Sequence, residues 1–168
     1  MPTSASSETS GMNDPTADPT IYLDANVFIN AVEGVPETAS APKRLLSALQ
    51  AHPGIAATSE ITFAEVLAPP QRSDALPLHI KRRAYLDLLL WNGFITLIPV
   101  TREILIETAD LRAAARLKLP DAIHIASAIR GGCRYAVSND DDFRKLPENM
   151  TRVKPNEQGV DALLKEIA

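Results

Sequence analysis

The sequence predicts an α/β fold with a central parallel sheet covered by helices on both faces. Short apolar runs alternate with amphipathic helical segments along the whole chain. Hydrophobic residues make up 45% of the 168 residues but aromatic residues only 5%, so the core must consist mainly of Ala, Leu, Ile and Val. This composition is typical of helices packed on a buried sheet.

The first half of the chain predicts two strands and two helices. "IYL" at 21–23 is an apolar strand, and 35–52 is a helix with three leucines on one face. "GIAAT" at 54–58 is a short buried strand. The next helix, 59–68, is capped by Thr58 or Ser59 and stopped by two prolines.

The middle of the chain continues the alternation. Residues 77–91 form an amphipathic helix, and "FITLIPV" at 94–100 is a strand. Thr101 can cap the helix predicted at 102–119. Trp91 and Phe94 are expected in the core, at the corner between the helix and the strand.

The last quarter of the chain supplies the remaining elements. Pro120 starts a helix at 121–132, and "RYAVS" at 134–138 is a clear strand. A further short strand is expected near Arg152 and Val153. A final helix, 157–168, closes the chain.

One domain boundary follows from the composition. Residues 1–20 are rich in Ser, Thr, Pro and Asp without apolar periodicity, which predicts a disordered tail, and 21–168 is expected to be a single domain. The start has no signal-peptide pattern and no stretch is long enough to span a bilayer, so the cytoplasm is the expected location. Cys133 is the one cysteine, which excludes an internal disulfide.

Acidic residues follow three of the predicted strands. Asp24 follows "IYL", Glu60 and Glu65 lie in the helix after "GIAAT", and 140–142 ("DDD") come just after "RYAVS". The carboxyl ends of parallel strands share one edge of a sheet, so these carboxylates can meet. Carboxylates brought together repel and stay ionised only around a cation. Oxygen ligands without a His or Cys cluster favour Mg²⁺ or Mn²⁺ over zinc.

Position alone leaves alternatives open for each acid. Glu60 suits the helix dipole, and Glu65 continues an apolar row with Ile61, Ala64 and Ala68, which predicts that it points inward. Asp121 follows Pro120 and suits a helix start as well as a site. Asp141 is the acid of its run that we expect to be exposed and structural. If Asp24 belongs to a charged cleft, Asp24→Asn should stabilise the metal-free protein.

Four of these segments together resemble the PIN-domain family, and most closely its VapC-type toxins. They are "YLDANVFI", "TSEITFAEVL", "LPDAIHIASAI" and "SNDDDFRKL", and the resemblance covers residue 21 to the mid-150s. It implies a PIN-like three-layer α/β/α sandwich. The catalytic acids that it implies are Asp24, Glu65, Asp121 and Asp140, and the implied metal ligands are these four with Asp142. Asn26 and Asn139 would support the carboxylates, and Ser138 fits the first position of the fourth segment.

The resemblance also implies an activity and partners. It implies an endoribonuclease that uses Mg²⁺ or Mn²⁺ to cleave RNA, leaving a 5′-phosphate and a 3′-hydroxyl. The partners would be RNA, a cognate antitoxin and a second copy of the chain. With a net charge of −4, backbone contacts must come from local basic residues. The candidates are Lys81, Arg82, Arg83, Arg112, Arg116 and Lys118.

Other functions remain as alternatives. A phosphohydrolase acting on a small phosphorylated metabolite would have a second aspartate two residues after the first, where this chain has Asn26, and a lysine near the third segment. A non-catalytic RNA-binding scaffold would normally lack part of the acid set, which is complete here. His124 could act as a general base. We expect it instead to be a polar residue at the helix margin, because metal-activated water needs no histidine.

Overall fold

The computed structural model of the chain describes residues 20–69 and 76–168. Within these ranges seven α-helices flank a sheet of five strands, all parallel. The predicted α/β fold with a central parallel sheet is therefore confirmed. The tail predicted at 1–20 lies outside the described residues except for Thr20, and the domain boundaries stay a prediction.

The elements have the following order and bounds along the chain. They are β1 (Ile21–Leu23), α1 (Ala25–Glu33), α2 (Pro36–Leu49), β2 (Ala56–Ser59), α3 (Ile61–Val66), α4 (Leu78–Leu86) with a π-helical turn (Asp87–Trp91), β3 (Ile95–Ile98), α5 (Arg102–Ala115), α6 (Leu119–Arg130), β4 (Tyr135–Val137), a 3-10 turn (Asp141–Lys145), β5 (Thr151–Val153) and α7 (Glu157–Ile167).

The strand order is β3-β2-β1-β4-β5, with β1 at the centre. The chain runs outward from β1 through β2 to β3, and then returns to place β4 on the other side of β1. The strand order therefore reverses between β1 and β4. In open parallel sheets the crevice beyond the strand ends at such a reversal is where ligands bind.

Successive residues of β1 face the two helical layers. Ile21 and Leu23 pack with residues of α1, α2 and α7, whereas Tyr22 packs with α6 and with Phe143. All three β1 residues are fully buried, as a central strand covered on both faces requires. The polar tip of Tyr22 therefore needs a partner inside the protein.

Two helices in the first half of the chain differ from the prediction. Helix α1 was not predicted, and it begins directly after β1 with Asp24 as its cap. Helix α3 is short, and its buried residues are Thr62 and Val66. The predicted apolar row through Ala64 was therefore wrong, because Ala64 is exposed. The six residues of α3 are too few to give a reliable helical period.

At the corner between α4 and β3, one of the two residues predicted to be in the core is buried and the other is exposed. Phe94 is buried, but Trp91 is 54% exposed, so its expected core position was wrong. The Trp91 ring lies 4.9 Å from the Arg83 guanidinium, which covers part of it from the surface. Every helix in 20–69 and 76–168 is too short or too polar to cross a bilayer.

Candidate metal centre

Asp24 occupies the end of the central strand, where its carboxylate is held by the protein. It caps α1 by accepting a hydrogen bond from the Ala25 N–H at 2.7 Å. Its other oxygen accepts from Asn26 Nδ2 and Ser138 Oγ, both at 2.5 Å. Burial raises the pKa of Asp24, while the nearby His124 and the Ser138 hydroxyl oppose that rise. The expected support of Asp24 by Asn26 is confirmed.

The loop after β4 carries Asp140 and is tied to Asp24 through Ser138. The Ser138 hydroxyl accepts the Asp140 N–H at 2.9 Å, and Asp140 in turn caps the 3-10 turn by accepting the Asp142 N–H at 2.9 Å. The Arg152 guanidinium donates to the backbone carbonyls of Ser138 and Asn139 at 3.3 and 2.9 Å. These bonds hold two acids in place through backbone and hydroxyl groups.

Asn139 supports the site through its backbone. Its N–H donates to Asn26 Oδ1 at 3.4 Å, and the residue is exposed. The expected role of its side chain in holding a carboxylate stays a prediction.

Asp121, Asp140 and Asp142 form a close group of half-buried carboxylates. One oxygen from each lies within 4.8 Å of the others, although the three residues come from the first turn of α6 and from the loop after β4. Burial and the charge of Asp140 raise the pKa of Asp121 to about 6. Burial also raises the pKa of Asp142, but Lys145 and the Lys118 N–H outweigh it, so the net shift is downward.

This group fits a hard divalent cation. All of its donors are carboxylate oxygens, the ligand class preferred by Mg²⁺ and Mn²⁺. Burial and then the charges of Asp140, Asp24 and Asp142 raise the pKa of Asp121, and a bound cation would relieve the part that comes from these charges. The donor set and its net negative charge, which Lys145 offsets only at Asp142, both agree with the predicted cofactor.

Glu65 and Asp24 meet at His124 instead of in that group. His124 Nε2 lies 2.6 Å from Glu65 Oε2 and 3.4 Å from Asp24 Oδ1. Burial lowers the pKa of His124, but the hydrogen bond to Glu65 and the charge of Asp24 outweigh it and leave the pKa raised. The histidine is fully buried, so the expectation that it sits at the helix margin was wrong. Its helix packs directly on the sheet, which covers this face.

The remaining predicted acids have clear places. Asp141 is exposed and pairs with Arg144 at 2.9 Å, as expected for a structural acid. Glu60 is exposed at the start of α3. Neither belongs to the group of three carboxylates.

One predicted phosphate contact is excluded by its surroundings. Lys81 is 6% exposed and its ammonium lies 3.3 Å from Glu33, so it pairs α4 with α1 inside the protein. From the sequence, a lysine on an amphipathic helix is expected to face solvent. The ion pair of Lys81 with Glu33 could not be predicted, because it depends on how α4 packs against α1. Arg116 and Lys118 are exposed in the loop that leads into α6 and Asp121.

Four residues near the site were not predicted as parts of it. Tyr22 and Arg152 organise side chains or backbone there, and His124 and Lys145 contact the acids directly. A signal existed for Tyr22, because a hydroxyl in a buried central strand requires a partner. Arg152 and Lys145 carried no such signal, since charges near loops usually face water.

Comparison with known proteins identifies the family of this chain and solved structures with a similar fold. A PIN domain family model matches residues 21–149. A toxin–antitoxin complex from Klebsiella pneumoniae has a chain with a TM-score of 0.59 and 26% identity, covering 82% of this chain and 99% of that one.

Two more distant structures have the same fold. VapBC2 from Rickettsia felis bound to a promoter DNA fragment matches with a TM-score of 0.58 and 17% identity, covering 80% of this chain and 98% of that one. DNA-bound VapBC from Salmonella typhimurium matches with a TM-score of 0.58 and 15% identity, covering 82% and 98%. No curated protein sequence matches this chain.

Proposed function

This chain belongs to the PIN-domain family, and on that premise we propose that it is a VapC-type toxin, an endoribonuclease that depends on Mg²⁺ or Mn²⁺. One observation carries the proposal. Three carboxylates from two distant segments of the chain converge within 4.8 Å at the sheet edge where Asp24 and Glu65 also lie. Such convergence is costly for a protein unless a cation or a cationic partner fills it.

The residues that would hold the metal are those of the acidic edge. They are Asp24, Glu65, Asp121, Asp140 and Asp142. A bound Mg²⁺ or Mn²⁺ supplies an activated water and neutralises the charge that develops on the leaving oxygen of a phosphodiester. Residues of the chain itself orient the ligands. Ser138 connects Asp24 to the Asp140 backbone, and Arg152 holds the loop after β4 by donating to the Ser138 carbonyl.

Exposed cations beside the acids would bind the RNA backbone. Arg116 and Lys118 precede α6, and the Lys145 ammonium lies 3.1 Å from Asp142 and 2.9 Å from the Ala115 carbonyl. We propose that these charges contact the phosphates flanking the cleaved bond, because they lie beside the acids. They offset locally the net acidity of the chain.

An antitoxin and a second copy of the chain complete the proposal. The Klebsiella pneumoniae neighbour is a toxin–antitoxin complex, and we propose an antitoxin partner for this chain by analogy with it. An Arg or Lys of that partner would satisfy the acids in place of metal. Toxin and antitoxin would act in the cytoplasm. A monomer by light scattering at micromolar concentration would contradict the proposed homodimer.

Cleavage assays test the proposed activity. Wild type should cut structured RNA with Mg²⁺ or Mn²⁺, leave 5′-phosphate ends and stop in EDTA. Asp140→Asn should fall to background while keeping its circular dichroism, because Asn also caps a helical turn. Asp141→Asn removes the same charge at the adjacent residue, which lies outside the group of three carboxylates. This variant should cut like wild type.

Two results would contradict the proposal. Hydrolysis of p-nitrophenyl phosphate with no RNA cleavage would favour the phosphohydrolase alternative. RNA binding without any cleavage in either metal would favour the non-catalytic scaffold.

A further inference from the structure

We propose that His124, held in place by Tyr22, is a positioning residue that fixes the Glu65 carboxylate at the metal centre. The inference rests on the proposed function and extends it to two residues outside the acid set. It is carried by an unbroken row of hydrogen bonds that runs from the sheet into the site.

The row begins at the backbone of β2. The Ser59 N–H donates to the Tyr22 hydroxyl at 3.1 Å, and that hydroxyl lies 2.6 Å from His124 Nδ1. On the opposite side of the ring, Nε2 lies 2.6 Å from Glu65 Oε2. Each ring nitrogen therefore has a short, separate partner.

The Tyr22 hydroxyl determines which ring nitrogen faces Glu65 as a donor. A hydroxyl has one hydrogen to donate, and this one already accepts the Ser59 N–H. Its hydrogen can therefore go to Nδ1 of a neutral imidazole, whose N–H is then on Nε2, and a protonated imidazole also carries an N–H on Nε2. That N–H points at Glu65, which is the arrangement a carboxylate needs.

His124 can act only through its neighbours. The side chains of His124 and Tyr22 are both fully buried, so neither can touch RNA. The Nε2 atom is occupied by a hydrogen bond to a carboxylate. These facts separate a positioning role from the general-base role considered from the sequence.

Glu65 depends on His124 more than Asp24 does. Asp24 accepts from the Ala25 N–H, Asn26 and Ser138, and would keep these donors without the histidine. Of the side chains in the described ranges, His124 is the one that donates to Glu65. Glu65 also sits on a six-residue helix with its side chain 31% exposed, where several rotamers are open to an unrestrained glutamate.

Two tyrosine variants test the first link. Tyr22→Phe removes only the hydroxyl, and the affinity for Mn²⁺ measured by calorimetry should fall by about 10- to 100-fold, the range found when groups that orient metal ligands are lost. The kcat for RNA should fall with it, and KM should stay unchanged. Tyr85→Phe is the matched control, because Tyr85 is also fully buried and donates to a carboxylate, Glu33, outside the acidic site.

Two histidine variants test the second link. His124→Gln keeps an amide N–H near the position of Nε2 and should retain part of the Mn²⁺ affinity. His124→Leu keeps the volume without a donor and should lose as much as Tyr22→Phe or more. If His124→Leu does not fold, the tyrosine pair still decides the question.

Glu65→Gln separates this inference from the proposed function. If Glu65→Gln weakens Mn²⁺ binding and cleavage but Tyr22→Phe and His124→Leu match wild type, the positioning role is wrong and the nuclease proposal stands. Equal losses in Tyr22→Phe and Tyr85→Phe would also overturn it, since the effect would then be a general loss of packing. If Glu65→Gln binds Mn²⁺ and cleaves RNA like wild type, Glu65 is not a metal ligand and the positioning role is wrong, while the nuclease proposal is decided separately by Asp140→Asn and EDTA.

Discussion

The acidic edge contains two groups of carboxylates that the protein treats differently. The inner pair, Asp24 and Glu65, accepts hydrogen bonds from the backbone, Asn26, Ser138 and His124. The outer trio, Asp121, Asp140 and Asp142, consists of acids within 4.8 Å of one another. Lys145 pairs with Asp142, and the pKa of Asp121 remains raised to about 6.

The difference separates preorganisation from charge compensation. Hydrogen-bond donors of the protein hold the inner pair in position before any ligand arrives. The outer trio keeps repulsion at neutral pH that a bound cation would remove. Substitutions in the two groups should therefore have opposite effects on the metal-free protein and similar effects on metal binding.

The largest expected effect is the loss of metal stabilisation in the outer trio. Mn²⁺ at 100 times its dissociation constant should stabilise the folded wild type by about 2.7 kcal/mol. Asp140→Asn should gain far less, and Asp141→Asn should gain as much as wild type. Thermal melts in EDTA and in Mn²⁺ measure all three, and an undiminished gain for Asp140→Asn would place the metal elsewhere.

The second effect contrasts one member of each group in EDTA. Asp24→Asn should destabilise the protein by about 1–3 kcal/mol, because an amide NH₂ cannot accept from Asn26 and Ser138 as the carboxylate does. Asp121→Asn should raise the melting midpoint by removing a repelled charge. The hydrogen bonds therefore predict that Asp24→Asn lowers the stability of the metal-free protein, whereas the sequence predicted that this substitution raises it. A higher midpoint for Asp24→Asn in EDTA would mean that burial of its charge outweighs these bonds.

The third effect is a pH dependence specific to Asp121. Its folded pKa of about 6 lies above the unfolded value of about 3.9, so the folded state binds more protons between these two values. This group therefore supports stability most below about pH 4, and its contribution falls as the pH rises through about 6. In EDTA, the midpoint of wild type relative to Asp121→Asn should decline from pH 4 to pH 7. A constant difference would contradict the raised pKa of Asp121 that burial and the charge of Asp140 produce.

The smallest effect concerns the basic residues around the groups. In an Asp140→Asn background that binds RNA without cutting it, Lys118→Ala should reduce the salt dependence of binding by about 0.7 in the slope of log K against log salt. Lys81→Met should leave that slope unchanged and lower the melting midpoint, because it leaves Glu33 without its ion pair. Equal slopes for both variants would show that Lys118 makes no phosphate contact.

Most of the fold was predictable because its signals are local. Strand and helix types follow from apolar periodicity, and a cap such as Thr101 lies within four residues of the N–H of Ile104 that it satisfies. The errors occurred where the window was short or the partner distant. Helix α1 follows β1 with only Asp24 between them, and α3 has too few residues for its buried face to be read.

The sequence by itself determined that acids would gather at one edge of the sheet, because parallel strands expose their carboxyl ends together and Asp24, Glu65 and 140–142 follow three of them. The tertiary structure alone decided how those acids divide. Tyr22 and His124 are 102 residues apart and meet only when α6 packs on β1. Whether a buried carboxylate is hydrogen-bonded or repelled depends on such distant neighbours, and local sequence patterns do not contain them.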